Sequence, residues 1–173
     1  MPVVAESGLE RPRTVDRYLL AVLRLAFAWE FLWAFSDKLF GWGFATPSER
    51  SWLNGGSPTR GFLENSAAGP FESFYRSIAG DPWANWLFML GLLGIGVALL
   101  LGVMMRVAVV SAVVLLVMMW SVALPPANNP FLDEHLIQAL ALILLVRLGA
   151  GDTLGLGRWW AATSVVRRFP FLR

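Results

Sequence analysis

The chain contains no cysteine, so it closes no disulfide, offers no thiolate nucleophile and holds no thiolate-ligated iron–sulfur cluster. Dithiol exchange with a quinone through its own residues is excluded by the same absence. One histidine, His135, is present, which excludes paired imidazole ligation of a haem. His135 with Asp133 and Glu134 could hold an ion, but a lone imidazole beside two carboxylates at a helix boundary leads us to expect no metal centre. Any redox centre must come from a ligand or a partner.

Charge is scarce as well. Charged residues make up 15% of the chain against 57% hydrophobic, and the mean hydropathy is +0.59. That balance excludes an ordinary soluble domain and defines an integral membrane protein. The pI of about 9.7 reflects arginines that collect beside anionic lipid, so it is not a signal for nucleic acid. Residues before Tyr18 are polar and mixed in charge, and no removable signal peptide is expected.

Four apolar runs, at about 18–44, 86–105, 107–124 and 132–150, are long enough to cross or nearly cross a hydrocarbon core of ~30 Å at ~1.5 Å per residue. The expected fold is an all-α integral membrane protein. It is a single domain over 1–173, a four transmembrane helix bundle with short amphipathic helices in the long outer loop between helices 1 and 2. Arg11, Arg13 and Arg17 precede the first run, Arg106 lies between the second and third, and Arg158, Arg167, Arg168 and Arg173 follow the fourth. The loop 125–131 has no basic residue, so both termini are expected in the cytoplasm, with the protein in the plasma membrane. Within the outer segment 45–84, Thr46-Pro47-Ser48-Glu49 reads as a capping box and Gly55-Gly56 as a stop. Residues 70–79 place Phe71, Phe74, Tyr75 and Ile78 on one face of an interfacial helix, read first as a surface anchor. In the second run, Gly94, Ala98 and Gly102 form a small-residue stripe, read as internal packing ahead of contact with a second protomer. Met104, Met105, Met118 and Met119 read as bundle filling. The tail 151–173 carries Arg158-Trp159-Trp160 at an aromatic belt and reads as a membrane-surface anchor.

The first run carries the expensive residues. A carboxylate at mid-bilayer costs about 2.5–3.5 kcal/mol on the lenient insertion scale, and Glu30 lies near the middle of that run. Glu30, Trp33, Ala34, Asp37 and Gly41 share one helical face, while Arg24, Phe31 and Lys38 line another. Arg24 and Arg147 read as long side chains reaching toward the inner boundary. Asp37, Lys38, Asp133 and Glu134 fall at helix ends and read first as interfacial charge. Were the first and fourth runs adjacent, Glu30, Asp37, His135 and Gln138 would surround a polar pocket open to lipid, suited to a quinone headgroup (menaquinone or ubiquinone). Glu30 and His135 would then be catalytic proton carriers, Asp37 and Gln138 hydrogen-bonding groups and Trp33 a stacking surface. Arg60 and Arg76, in the outer segment, are candidates for binding a small oxyanion substrate.

Several short motifs occur in order along the chain. They are Arg24 followed by Asp37-Lys38-Leu39-Phe40-Gly41, then Gly55-Gly56-Ser57-Pro58-Thr59 and Gly61-Phe62-Leu63, then Gly91 through Gly102. Asn129-Pro130 with Asp133-Glu134-His135, and Gly149-Ala150-Gly151 with Leu154-Gly155-Leu156, complete the series. In this order the chain resembles the DoxX/DoxD-like membrane family, which includes the small membrane subunit of thiosulfate:quinone oxidoreductase. The resemblance implies a four-helix membrane bundle and, for some members, quinone-linked oxidation of a reduced sulfur compound. Glu30 lies outside these motifs, and its role rests on the cost of its position alone. The expected function is a membrane component of a quinone-linked oxidoreductase with thiosulfate or another reduced sulfur compound as donor. The expected partners are membrane lipid, quinone and a partner subunit, with a homo-oligomer as a further arrangement and no nucleic acid. The alternative is a non-catalytic membrane subunit that anchors or stabilises a larger complex. A solute or proton pathway ranks below both, because Ser111 and Ser121 are the polar exceptions in the second and third runs.

Overall fold

The computed structural model describes residues 13–127 and 129–173. Arg11, counted above among the basic residues before the first helix, lies outside them. Helix α1, Thr14–Phe40, has 27 residues and is about 40 Å long at ~1.5 Å per residue. Asp16 stabilises its start by accepting the Arg13 N–H at 3.1 Å. It stops at Gly41, in the left-handed region at φ 71°, where a Cβ would stand 2.6 Å from Ser48 Cα. Helix α2 spans Arg60–Ser66 and α3 Glu72–Ser77, with short 3-10 turns at Ser48–Arg50, Trp52–Asn54 and Gly69–Phe71. Helix α4, Pro82–Leu101, opens on proline, whose missing N–H has no helical partner in the first turn anyway. It ends at Gly102, and α5, Met105–Val122, begins at once.

Helices α1, α4 and α5 are long and apolar enough to cross a membrane. The fourth expected span is shorter than the apolar run of 132–150. Helix α6, Glu134–Arg147, has 14 residues, about 21 Å. Gly149 turns left-handed at φ 70° and a 3-10 turn, Ala150–Asp152, replaces the last helical turn. Beyond it α7, Gly157–Ala161, and α8, Ser164–Arg168, fold back so that Arg106 N donates to Arg173 O at 3.0 Å.

The order of contacts along α1 sets the packing. Arg24 meets the end of α4, Leu32 packs on Gly96, and the Lys38 ammonium lies 5.9 Å from the Phe88 ring centroid near the start of α4. The two helices are therefore antiparallel. One core, with Phe27, Phe31, Met89, Leu99, Val109, Leu116, Leu142 and Leu145, joins α1, α4, α5 and α6. Leu19, Val22, Leu87, Val110, Val114, Leu140 and Leu144 are exposed around it. Helices that are apolar all round fit hydrocarbon outside and packing within. The small-residue stripe divides. Gly102 is packed against Gly151, as expected for internal contact, whereas Gly94 is exposed with open space where a Cβ would be.

The outer segment is bonded to the helices beneath it. The Tyr75 hydroxyl lies 2.5 Å from Ser121 Oγ on α5, and Ala68 N donates to Val122 O at 2.8 Å. The expected helix over 70–79 is reduced to α3 because Gly69–Phe71 forms a tighter turn that docks on α5. Tyr75 and Ile78 face inward while Phe71 and Phe74 are exposed, so the predicted single apolar face is shared between core and surroundings. The expected capping box is a 3-10 turn beginning after Pro47 with no side-chain cap bond.

Gly102 marks a close approach between the end of α4 and the segment after α6. A Cβ there would stand 2.7 Å from Gly151 O, on a backbone at φ 71°. Gly102→Val is expected to destabilise the fold by about 2–4 kcal/mol, from strain and overpacking together. A lowered thermal midpoint in detergent, with Gly94→Ala close to wild type, is the result that checks it.

Candidate functional site

Arg24 is fully buried. Instead of reaching for the boundary, its guanidinium is turned onto backbone carbonyls. Nε donates to Ala150 O at 3.1 Å, Nη1 to Leu99 O and to Leu100 O at 2.9 Å, and Nη2 to Thr153 O at 3.3 Å and Leu154 O at 2.8 Å. The carbonyls of Leu99 and Leu100 belong to the last turn of α4, beyond the reach of its i+4 donors and at the negative end of the helix dipole, where Leu99 O also accepts from the capping Gly102 N at 3.3 Å. Five N–H groups thus meet five carbonyls from two separate segments. Leu154, a non-glycine residue at φ 50°, holds a conformation that Arg24 supports by taking its carbonyl.

Six residues along α1, about 9 Å of helix, bring the chain from Arg24 to Glu30, which is exposed on the outer surface of the helix group. Gln138 Nε2 of α6 donates to Glu30 Oε1 at 2.8 Å. The structure therefore makes the first and fourth apolar runs neighbours and brings Glu30 and Gln138 together. Trp33, one turn further on, stacks at 5.6 Å from Trp29 and meets the edge of Phe44 at 5.1 Å. Phe44 N donates to Asp37 Oδ1 at 3.4 Å. Asp37 is buried rather than interfacial, 2% exposed, and its Oδ2 has no hydrogen-bond partner among the described residues, nor does buried Ser51 Oγ.

His135 is held locally. Its Nδ1 lies 2.7 Å from Asp133 Oδ2, while Asp133 Oδ1 accepts from Leu136 N and caps α6. Asp133, Glu134 and His135 have ligand atoms within 4.8 Å of one another, but Asp133 is committed to these two structural bonds. Arg60 and Arg76 are each exposed and paired with a glutamate on their own helix, Glu64 at 3.7 Å and Glu72 at 2.9 Å. Asn85 went unnoticed in the sequence because it sits at the start of an apolar run. It is buried, and its Oδ1 accepts from Ser57 Oγ at 2.9 Å, Thr59 N at 3.2 Å and Thr59 Oγ1 at 2.8 Å, joining the outer segment to α4. The run Ser57-Pro58-Thr59 was the available signal, since such residues supply donors at a turn.

The arrangement defines an all-helical membrane protein whose polar side chains join helices and leave one carboxyl–amide pair on the outward surface. A family model described as DoxX matches residues 19–125, from within α1 to just past α5, and the chain belongs to the DoxX family. No curated protein matches the chain. No solved structure matches it either.

Arg24→Lys supplies three donors from a point charge where five in a planar fork are engaged. The substitution is expected to cost about 2–5 kcal/mol, at ~1–3 kcal/mol for each carbonyl left unsatisfied. Denaturant titration in detergent measures it. A change under about 0.5 kcal/mol would show that the carbonyls find other donors.

Proposed function

We propose that this DoxX protein is the membrane component of a quinone-linked oxidoreductase, drawing electrons from thiosulfate or another reduced sulfur compound through a partner subunit. The observation that carries the reading is the Glu30–Gln138 pair, a carboxyl and an amide on the outward surface of α1 and α6 where apolar side chains surround them. A carboxyl there is costly and is retained in positions where it has work to do. The neighbouring residues fit a quinone ring. Trp29, Trp33 and Phe44 offer aromatic faces and edges, and one buried oxygen of Asp37 has no partner among the described residues. A quinone bound in this place would accept two electrons and two protons.

In this reading Glu30 holds a proton at the carboxyl oxygen that Gln138 does not occupy, and Gln138 fixes the carboxyl plane. His135 and Gln138 are three residues apart on α6 and share its face, so His135, at the helix start, takes protons from the aqueous side. Arg60 and Arg76 would release their exposed glutamate partners, pairs worth ~0–1 kcal/mol, to receive an oxyanion. The reading includes a four-helix membrane bundle with α6 as the fourth span. Its support is that Glu30 meets Gln138 while Arg24 meets Ala150, so α6 runs antiparallel to α1. Arg13, Arg17, Arg106 and Arg158 then fall at one end, the cytoplasmic face of the plasma membrane by the positive-inside rule.

A second reading, a non-catalytic subunit that anchors a larger complex or pairs with a second copy, is favoured by one observation. Gly91 and Gly94 have open space around them on the outside of α4, where another helix could approach.

Gently purified protein is assayed for bound quinone and for thiosulfate-dependent reduction of added quinone. Near-stoichiometric quinone with turnover is expected, and Glu30→Gln is expected to lower turnover by about 10²-fold or more while leaving insertion intact. Copurifying proteins with neither quinone nor turnover would replace the oxidoreductase with the anchoring subunit.

A further inference from the structure

At the end where α4 gives way to α5, the turn after α6 and the folded-back tail enclose a cavity of about 250 Å³. It lies toward the far end of α6 from Gln138, nine residues or about 13 Å along the helix at Arg147, and plays no part in the quinone reading. Arg106, Arg147 and Arg173 line it, with Asp152 and the indole of Trp160, and four glycines bring backbone to its wall. Among the lining side chains three guanidiniums face one carboxylate. Their present partners are weak or partial. Arg106 spends one Nη1 bond on Pro170 O at 3.1 Å, and Arg173 Nη2 stands 3.6 Å from Asp152 Oδ2. A charge-assisted bond is ~2.7–2.9 Å, so that last pair is loose. Arg147 has no ion pair among the described residues.

Position and size narrow the ligand. Arg147 ends α6 and Arg106 lies in the first turn of α5, so the cavity sits where helices leave the apolar layer, with Trp160 in its wall. Its volume falls below the ~300–1,000 Å³ of sites for drug-sized molecules. We propose that this cavity binds a phosphate-bearing anion through Arg106, Arg147 and Arg173, and its depth favours the headgroup of an anionic phospholipid over a soluble phosphate. The planar guanidiniums match phosphate oxygens in pairs, and a bound phosphate ties the tail to the α4–α5 corner.

The test uses the full chain, delipidated in a neutral detergent and examined by native mass spectrometry. The probes are phosphatidylglycerol, phosphatidylcholine and inorganic phosphate, each added separately. Phosphatidylglycerol is expected to bind more tightly than phosphatidylcholine. The double variant Arg147→Gln, Arg173→Gln is expected to weaken it about tenfold or more, while Arg147→Lys retains most of the binding. Arg158→Gln, an exposed charge outside the cavity wall, is expected to change nothing. Thermal midpoints without lipid show which variants fold, and Arg147→Gln alone, with no ion pair among the described residues to lose, serves if the double variant does not. Equal binding of both lipids without variant-sensitive binding of inorganic phosphate, or phosphatidylglycerol binding that ignores the cavity variants, would overturn the site. Inorganic phosphate binding with the same sensitivity, and no preference for the anionic lipid, would keep the phosphate site but assign it to a soluble anion.

Discussion

Everything at one end of this molecule hangs on the guanidinium of Arg24. Burying a charge without water is strongly unfavourable unless its donors are met, and here all five are met by main-chain carbonyls. Those carbonyls come from the last turn of α4 and from the segment after α6, so one side chain on α1 settles where two other parts of the chain must end. Backbone carbonyls cannot be removed by substitution. The clamp therefore constrains geometry more than the identity of the residues at 99, 100, 150, 153 and 154, which contribute only their main chain. Gly102 and Gly151 complete it by letting the two segments touch.

Much of this was legible in composition and periodicity. Three long apolar helices follow directly from run length, while the adjacency of the first and fourth runs entered only as the condition for a shared polar pocket. The rest escaped for physical reasons. An arginine among apolar residues looks the same in sequence whether it reaches toward water or turns inward, because the decision rests on carbonyls supplied from about 75 to 130 residues away. Asp37 looked interfacial because it ends a helix, yet the chain after Gly41 folds over it. The length of α6 was overestimated because apolar residues continue past Arg147, while Gly149-Ala150-Gly151 supplies the turn that Arg24 needs. In the outer segment, local turn signals were visible, but docking through Tyr75 and Asn85 depends on tertiary partners.

The polar residues divide by level. Around Glu30 and Gln138 a few neutral or acidic groups meet aromatic rings on a surface otherwise apolar, which is the chemistry of a lipid-soluble partner in the proposed reading. At the α4–α5 corner three arginines share the wall with glycine backbone, a setting for charge rather than for proton transfer. Arg24 lies between the two and belongs to neither, since it has no donor left over for a ligand.

The bonds that hold the outer segment down have a consequence for traffic. With Tyr75 joined to Ser121 and Asn85 gripping Thr59, α2 and α3 are tied to both α4 and α5. A molecule bound for the Glu30 surface would then arrive sideways, out of the bilayer itself. Its encounter rate would follow two-dimensional concentration within the membrane, and water-borne competitors would be filtered out by their reluctance to partition into lipid.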